Sequence, residues 1–499
     1  MTRGFRLFCF FTLLLLFSAL AAEQAVIYLR LADSLTLDPG KFEDFYSQEV
    51  IANVFEGLVR LKPGTFSVEP CLAERWTFKE NGKRWIFYLR RDVRFHNGRE
   101  FNAAAVVYSF RKRMEGKRGA YGPFGQIFPF IAAVRAAGDW SVEFVLDRPY
   151  IPFLLSLVDL RAAIVAPGSG DGPELMPVGT GPYMVSEWLK GKPLVLRRNP
   201  SYWDVPARID KVVFKSEKSA TARLSQIKNG SVHVAMIRSA AEHGDLAGRA
   251  DIGILSHPSP STGYLGFNGY RSPFNQLPVR KTFAHLLNKM VLVRRVFQNL
   301  AQPAGSFLPP SMPGFDPGTA GYEFSPQKAQ KLLRDAGWGK GFTCSLYYSE
   351  GQFGVEEIAR TIAAKARLIQ VTVRTVKLPF ERFFKAVQNG EPDLFLMSWG
   401  FTADPVVFLN PMFMLVPGGG KMMSVSPEYA GILAAAETAV DDKARDGHCA
   451  AAQRLIFREL PLLPLFHLNE MVAFNKRLSG LRLDPIGLLL FKDAALGPE

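Results

Sequence analysis

Seven histidines, a few cysteines and the acidic side chains are the groups through which this 499-residue chain could do covalent or metal chemistry. The histidines are His96, His233, His243, His257, His285, His448 and His467, and no two stand at i, i+3 or i, i+4. That spacing would put two ligands on one helix face for a zinc ion. The chain has no Gly-x-Ser-x-Gly elbow to present a nucleophilic serine, no His-Glu-x-x-His and no phosphate-cradling Gly-x4-Gly-Lys-Ser/Thr loop. Gly418-Gly419-Gly420 lacks a strand-to-helix context and reads as a loop. Cys71, Cys344 and Cys449 lie more than 100 residues apart, and we expect them to act as small buried apolar residues. No catalytic residue, metal site or cofactor is expected. What remains is non-covalent: the run Trp399-Gly400-Phe401-Thr402-Ala403-Asp404-Pro405 offers aromatic faces and one carboxylate. A carboxylate in a closed cleft makes a charge-assisted bond to a cation, stronger than a neutral pair. The competing role for Asp404 is to cap its own loop, common for Asp before Pro. Trp399 can stack on a ligand or pack the end of a strand.

The compartment follows from the first residues. Arg3 and Arg6 precede an apolar run from Leu7 to Leu20, closed by Ala19-Leu20-Ala21. That is the pattern of a secretory signal, about 14 apolar residues where a membrane span needs about 20. Cys9 lies inside the run and Ala22 follows the cleavage point, so an exported chain without a lipid anchor is expected. Removal of residues 1–21 leaves 58 basic and 46 acidic residues, a net +12. The basic residues are dispersed, and neither that distribution nor export suits a nucleic acid partner. The composition, 48% hydrophobic and 21% charged, excludes wholesale disorder, and the length suits two to four domains.

Strands and helices alternate along the chain. Ala25–Leu31 reads as a strand, and Gln48–Val59 as a helix closing at Gly57. A hairpin turns at Asn81-Gly82 into Trp85–Leu89. Asn102 caps a helix over Ala103–Met114. Breakers crowd residues 165–182 and mark a boundary, after which strand signals resume at Tyr183–Val185 and Leu194–Leu196. A second break spans Pro258–Gly263. Ser325-Pro326 starts a helix that stops at Ala336-Gly337. Gly354–Leu368 is a further helix and Val371–Val376 the strand after it. The chain is α/β with several lobes.

A series of fragments, in order, carries a family pattern. They are Leu37-Asp38-Pro39, Asn53–Val59, Pro70–Trp76, Gly82–Gly98, Phe101-Asn-Ala with Val106–Phe110, Val178–Tyr183, Arg198–Trp203, Asn268 with Pro273-Phe274 and Val279-Arg280, and Pro464–His467. The chain resembles the family 5 extracellular solute-binding proteins, the periplasmic oligopeptide- and dipeptide-binding components of ABC importers. The resemblance implies a three-lobe, periplasmic-binding-protein-like fold: two main lobes joined by a hinge, plus an inserted lobe. Lobe I would be 22–55, 176–262 and 468–499, lobe II 56–175, and lobe III 263–467, with crossings near Gly263–Phe267 and His467–Glu470. It also implies a monomeric, non-enzymatic protein that closes on a peptide and docks on an ABC permease in the membrane. The solute would touch Asp33, Ser34, Leu35, Tyr264, Trp399, Gly400, Phe401, Thr402 and Asp404; Asn268 and His96 read as structural. Peptide-binding members hold the ligand's α-ammonium with an Asp three residues after this Trp. Here that residue is Thr402, and Asp404-Pro405 aligns with a later acidic-Pro pair. The ammonium anchor is therefore displaced onto Asp404 or missing. A nickel chelate, a haem or a glycan is the alternative cargo, and an exported hydrolase with a site assembled from distant residues is the alternative activity.

Overall fold

The computed structural model describes residues 23–42, 44–114, 128, 130–169, 178–319, 321–350, 352, 354–400, 402–409, 423 and 425–497. The leader at 1–21, Phe401 and Gly418–Gly420 lie outside the described residues. The frame is an eleven-stranded mixed sheet. Ten of its strands run in the order Thr372–Leu378, Thr343–Ser349, Leu394–Gly400, Ile252–Phe267, Leu462–Asn475, Val234–Met236, Ala25–Arg30, Lys211–Ser216, Leu194–Arg198, Tyr183–Glu187. Ala301–Pro303 pairs on the side against Leu462–Asn475. Each end of the sheet contains parallel pairs: Ala25–Arg30 with both Lys211–Ser216 and Val234–Met236, and Thr343–Ser349 with both Thr372–Leu378 and Leu394–Gly400. Parallel strands need both faces covered; each end has an apolar cluster of its own on one face, and a further cluster runs across both ends, from Leu29 and Ile227 to Leu346 and Ile358. The fold has the multi-lobed architecture of periplasmic binding proteins.

Two long antiparallel strands join the ends. Ile252–Phe267 has 16 residues and Leu462–Asn475 has 14. Residues 252–258 of the first pair with 469–475 of the second, whereas 261–267 also pair on their other edge with 394–400. The expected break at Pro258–Gly263 is therefore not a loop; one strand runs through it. Its residues are disruptive because neither proline can donate to the ladder, and the register slips between Pro258 and Thr262. This bulge, opposite His467–Asn469, is where the strand leaves one half for the other.

Between the Val59–Leu61 strand and the Tyr183–Glu187 strand lies a separate antiparallel sheet, in the order Ala73–Lys79, Arg84–Leu89, Ser141–Leu146, Ile131–Gly138. The Asn81-Gly82 turn reverses the first hairpin with both residues at positive φ, 52° and 84°. The sheet buries Trp85, Phe87, Phe144 and Phe153 against the Ala103–Met114 helix, where the Asn102 side chain accepts from the Ala105 N–H at 3.2 Å.

The first helix differs from expectation. It spans Phe45–Val54, is capped by Asp44, and ends where Phe55 turns extended. The apolar spacing continues, but the helix end is closed by another segment: the Gly181 N–H donates to the Val54 carbonyl at 3.0 Å. Gly179 and Gly181 are needed for that approach and not for a positive φ, since a Cβ on Gly179 would lie 2.2 Å from the Val54 oxygen. His96 fastens the same turn. It accepts from the Gly179 N–H on Nδ1 at 3.3 Å, which leaves Nε2–H to donate to the Gly181 carbonyl at 3.0 Å. Helices over Pro326–Asp335, with Ser325 as cap, and Val355–Arg367 stand where the sequence puts them. Cys71, Cys344 and Cys449 are buried free thiols.

Candidate functional site

The segment after the first strand is pinned from below. Arg30 ends that strand fully buried and donates to the Tyr46 carbonyl at 2.7 Å and to Ser34 Oγ at 3.4 Å. Ser34 Oγ donates to the same Tyr46 carbonyl at 2.9 Å, and the Leu35 and Thr36 N–H groups donate to Ser47 Oγ. Ser34 is thus a buried fastener, while Asp33 is exposed and the Leu35 side chain stands 81% exposed, an apolar surface without cover. Beneath them Arg30 faces Glu49 at 3.6 Å, Tyr28 Oη donates to Glu49 at 3.0 Å, and Arg238 pairs with Glu470 at 2.6 Å. Burial drives the Glu49 carboxyl up to about 7, against the pull of Arg30 and Tyr28. Two cations and two carboxylates balance in one buried network, as ions in a low dielectric must. Sequence reasoning missed these four. The available signal was an arginine inside the apolar run Ala25–Leu31.

The second segment begins at the end of the Leu394–Gly400 strand. Trp399 lies opposite Thr262 and Gly400 opposite Ser261 on the crossing strand. Gly400 has no room for a side chain: a Cβ would meet the Pro260 carbonyl at 2.3 Å. Trp399 is partly buried, and its indole N–H is shielded from solvent with no acceptor. Thr402 is buried, its hydroxyl oxygen accepting from the Asp404 N–H at 3.3 Å.

Two residues expected at the solute are committed to protein. Tyr264 is buried edge-on between Phe307 and Phe395 in the core of the C-terminal half; as a side chain pointing inward from the crossing strand it packs and does not face a cleft. Asp404 is 1% exposed. Its Oδ2 accepts from Tyr150 Oη at 2.9 Å and Ser156 Oγ at 2.8 Å, and its Oδ1 accepts from the Val406 N–H at 2.9 Å. Desolvation raises its pKa, while these bonds and the Arg445 charge oppose the rise. The carboxylate caps the Pro405–Leu409 helix and binds the inserted sheet's domain, so no lone pair is left over for an ammonium. Phe401 lies outside the described residues.

A small apolar cluster links the loop after Trp399 to the helix that follows the first strand. Ala403 is buried with Leu155, Ile486 and Leu488, and Phe45, at the start of the helix that holds Ser34, packs on the same cluster. At the crossing strands the Thr262 hydroxyl donates to the Phe307 carbonyl at 2.8 Å and stands 2.9 Å from His467 Nδ1. Its single proton is spent on the carbonyl, so His467 Nδ1 carries the hydrogen and Nε2 is a buried acceptor without a donor. Burial and the Lys289 charge lower the His467 pKa to about 4, which keeps the ring neutral. Among the described residues no cluster of His, Cys, Asp or Glu could hold a metal ion, and no helix is long and apolar enough to cross a membrane.

Comparison with known proteins agrees with this architecture. Residues 67–418 match the model of the bacterial extracellular solute-binding proteins, family 5 middle region. The dipeptide-binding protein of Escherichia coli K12 is 26% identical over 475 residues, 89% of each chain, and the heme-binding protein A of Haemophilus influenzae is 24% identical over 87% of this chain and 85% of its own. The crystal structure of a dipeptide-binding protein from Pseudoalteromonas in complex with Met-Leu superposes with a TM-score of 0.83 at 26% identity, covering 95% of this chain and all of that one. Family and fold are those of exported binding proteins of transport systems and not of enzymes. The chain belongs to the family 5 bacterial extracellular solute-binding proteins.

Proposed function

We propose that this protein captures short peptides between its N- and C-terminal halves and passes them to an ABC permease when the halves close. Ligand and closed state stabilise one another: a solute shifts the equilibrium only by its preference for the closed form, and moving 1:99 to 99:1 takes about 5.5 kcal/mol. Asp33 and Ser34 supply a backbone edge for strand-like bonds to an extended peptide, Leu35 an apolar contact, and Trp399, Gly400 and Thr402 the opposing wall. The observation that carries the reading is the Trp399 indole N–H, a buried donor without an acceptor beside Gly400, where the backbone leaves no room for a side chain. A buried orphan donor costs about 1–3 kcal/mol, and a peptide carbonyl would satisfy it. The full-length similarity to dipeptide-binding proteins supports the same cargo.

Because Asp404 is spent on Tyr150 and Ser156, the peptide is held by its backbone more than by its ammonium. Calorimetric titration of the mature protein with a tri- and tetrapeptide library tests this, after native mass spectrometry of what co-purifies. Free and N-acetylated peptides should bind within about threefold of each other, and Trp399→Phe should weaken both by about tenfold, the size of one net hydrogen bond. No binding by any peptide would refute the reading. A non-peptide solute is the second reading, favoured by Thr402 at the position of the anchoring Asp; co-purification of a haem or metal chelate would establish it.

A further inference from the structure

The strip Arg148–Ser156 of the inserted domain touches the C-terminal half at two points. At one, Asp404 sits between Tyr150 and Ser156, and Val407 enters the inserted domain's apolar core. At the other, Arg148 reaches the two oxygens of Glu437 at 3.0 and 3.2 Å, and the Ile151 N–H donates to the Glu437 backbone carbonyl at 3.1 Å. Beside this strip the two parts stand apart across a groove of about 830 Å³, walled by Trp76, Phe78 and Ile151 on one side and Ser311, Val440 and Asp446 on the other. The contact is therefore a localised patch, made by the buried Asp404, the Arg148–Glu437 pair and a few apolar side chains such as Val407 and Ala403. Chain connectivity decides which bodies it joins. The inserted domain is anchored at both ends in the N-terminal half, through the Asn53–Val59 and Gly179–Tyr183 segments, whereas Asp404 and Glu437 follow the Leu394–Gly400 strand. Among the described residues, the two crossing strands are what tie the halves in the sheet.

We propose that this strip is a clasp formed on closure, and that Asp404 is a positioning residue that docks between Tyr150 and Ser156 and thereby sets Thr402 at the cleft. The link is Thr402, whose Oγ accepts from the Asp404 N–H, so the docked carboxylate holds Thr402 in place. Tyr150 is itself held, stacked on Phe130 at 4.3 Å, so the receiving hydroxyl does not have to be ordered at each closure. Ligand leaves only after the clasp opens. The inserted domain then acts as a latch on residence time and touches no cargo through these residues. This rests on the hinge-closure reading above.

The test uses the full mature chain labelled at Leu189→Cys and Leu368→Cys, exposed positions in opposite halves; the three native thiols are buried. Single-molecule energy transfer reports open and closed populations with and without trialanine. In the double variant Tyr150→Phe/Ser156→Ala the closed fraction relative to open should fall at least tenfold. Release of the tripeptide, or of the co-purified solute if trialanine does not bind, should speed up by a similar factor with the association rate unchanged. Asp404→Asn should cause the same loss, and the triple variant no more than the double, since all three act through one contact. A merely structural role would lower the melting temperature and leave populations and release unchanged. Should the double variant not fold, Glu437→Gln at the second contact should accelerate release about threefold. Two populations in the wild type with none of these shifts would overturn the clasp alone; a single unchanging population in the wild type would overturn hinge closure, and the clasp with it.

Discussion

His467 lies where the second crossing strand meets the bulge of the first, and its protonation should unfasten that junction in acid. The ring is 5% exposed, gives Nδ1–H to Thr262 and keeps Nε2 bare. A proton on the ring would place a charge in the interior near the Lys289 ammonium, and the backbone hydrogen bond at Ser261 that favours it does not offset burial. The sign follows from linkage. The native pKa, about 4, is below the ordinary 6.5, so between these values the unfolded chain binds more protons than the native one. The contribution of the neutral ring is complete above pH 6.5 and is lost as pH falls towards 4. At 1.36 kcal/mol per pH unit the whole window corresponds to about 3 kcal/mol. His467→Asn keeps an N–H donor near the position of Nδ1 and cannot titrate. Urea unfolding at pH 7, 6, 5 and 4 should show the wild type losing about 3 kcal/mol more than the variant over that range, and the His467 ring proton shifts in NMR should titrate near pH 4. Parallel stability curves for the two proteins, or a measured pKa at or above 6, would refute the tautomer and burial argument together.

Three further outcomes follow from the same geometry. His96, with both ring nitrogens engaged and its pKa lowered to about 4 by burial, should add its own acid-labile contribution over the same window; as its ring is partly exposed, we expect about 1–2 kcal/mol, discounted for solvent, read as the flatter pH profile of His96→Gln. Gly179→Ala must drive a methyl into the Val54 carbonyl. We expect a loss of about 3 kcal/mol or more, as for other strained or overpacked sites, visible as a fall in melting temperature, and an unchanged melt would show that the turn can withdraw. Arg30→Met leaves Glu49 buried beside Tyr28 with Arg238 as its remaining cation. Removing one partner of a buried pair costs about 3–5 kcal/mol; because the Glu49 carboxyl is already pushed up to about 7 and can take a proton, the lower end is expected at pH 6 and the upper end at pH 8, measured by thermal unfolding at the two pH values.

How much of this was legible in the sequence depends on whether the signal was local. The Asn81-Gly82 turn, the Asn102 and Ser325 caps and the apolar periods of the longer helices are set by neighbours a few residues away, and the structure has them at or within a few residues of the expected positions. The first helix ends early because a segment more than 120 residues downstream covers its last carbonyl, information that no window on Gln48–Val59 contains. The same holds for Gly179-Thr180-Gly181: glycines suggest positive φ, yet here the backbone of Val54 occupies the space of the missing side chains. Pro258 and Pro260 read as a loop because a proline cannot complete a ladder, but a strand at a register slip has places where no N–H is required.

Asp404 shows why site residues are harder still. From sequence it is a carboxylate beside an aromatic wall, equally fit to receive a ligand's ammonium or its own helix's N–H groups. Only the arrival of Tyr150 and Ser156, about 250 residues earlier in the chain, decides between them. A carboxylate accepts about four hydrogen bonds, and two hydroxyls with one strong and one long backbone N–H fill that number. An ammonium could bind only by displacing one of them, at the cost of a buried hydroxyl left unpaired. On the proposed function, recognition of a peptide would fall to the Trp399 indole and the backbone of Gly400. The position onto which the ammonium anchor could have been displaced is taken up by protein partners instead.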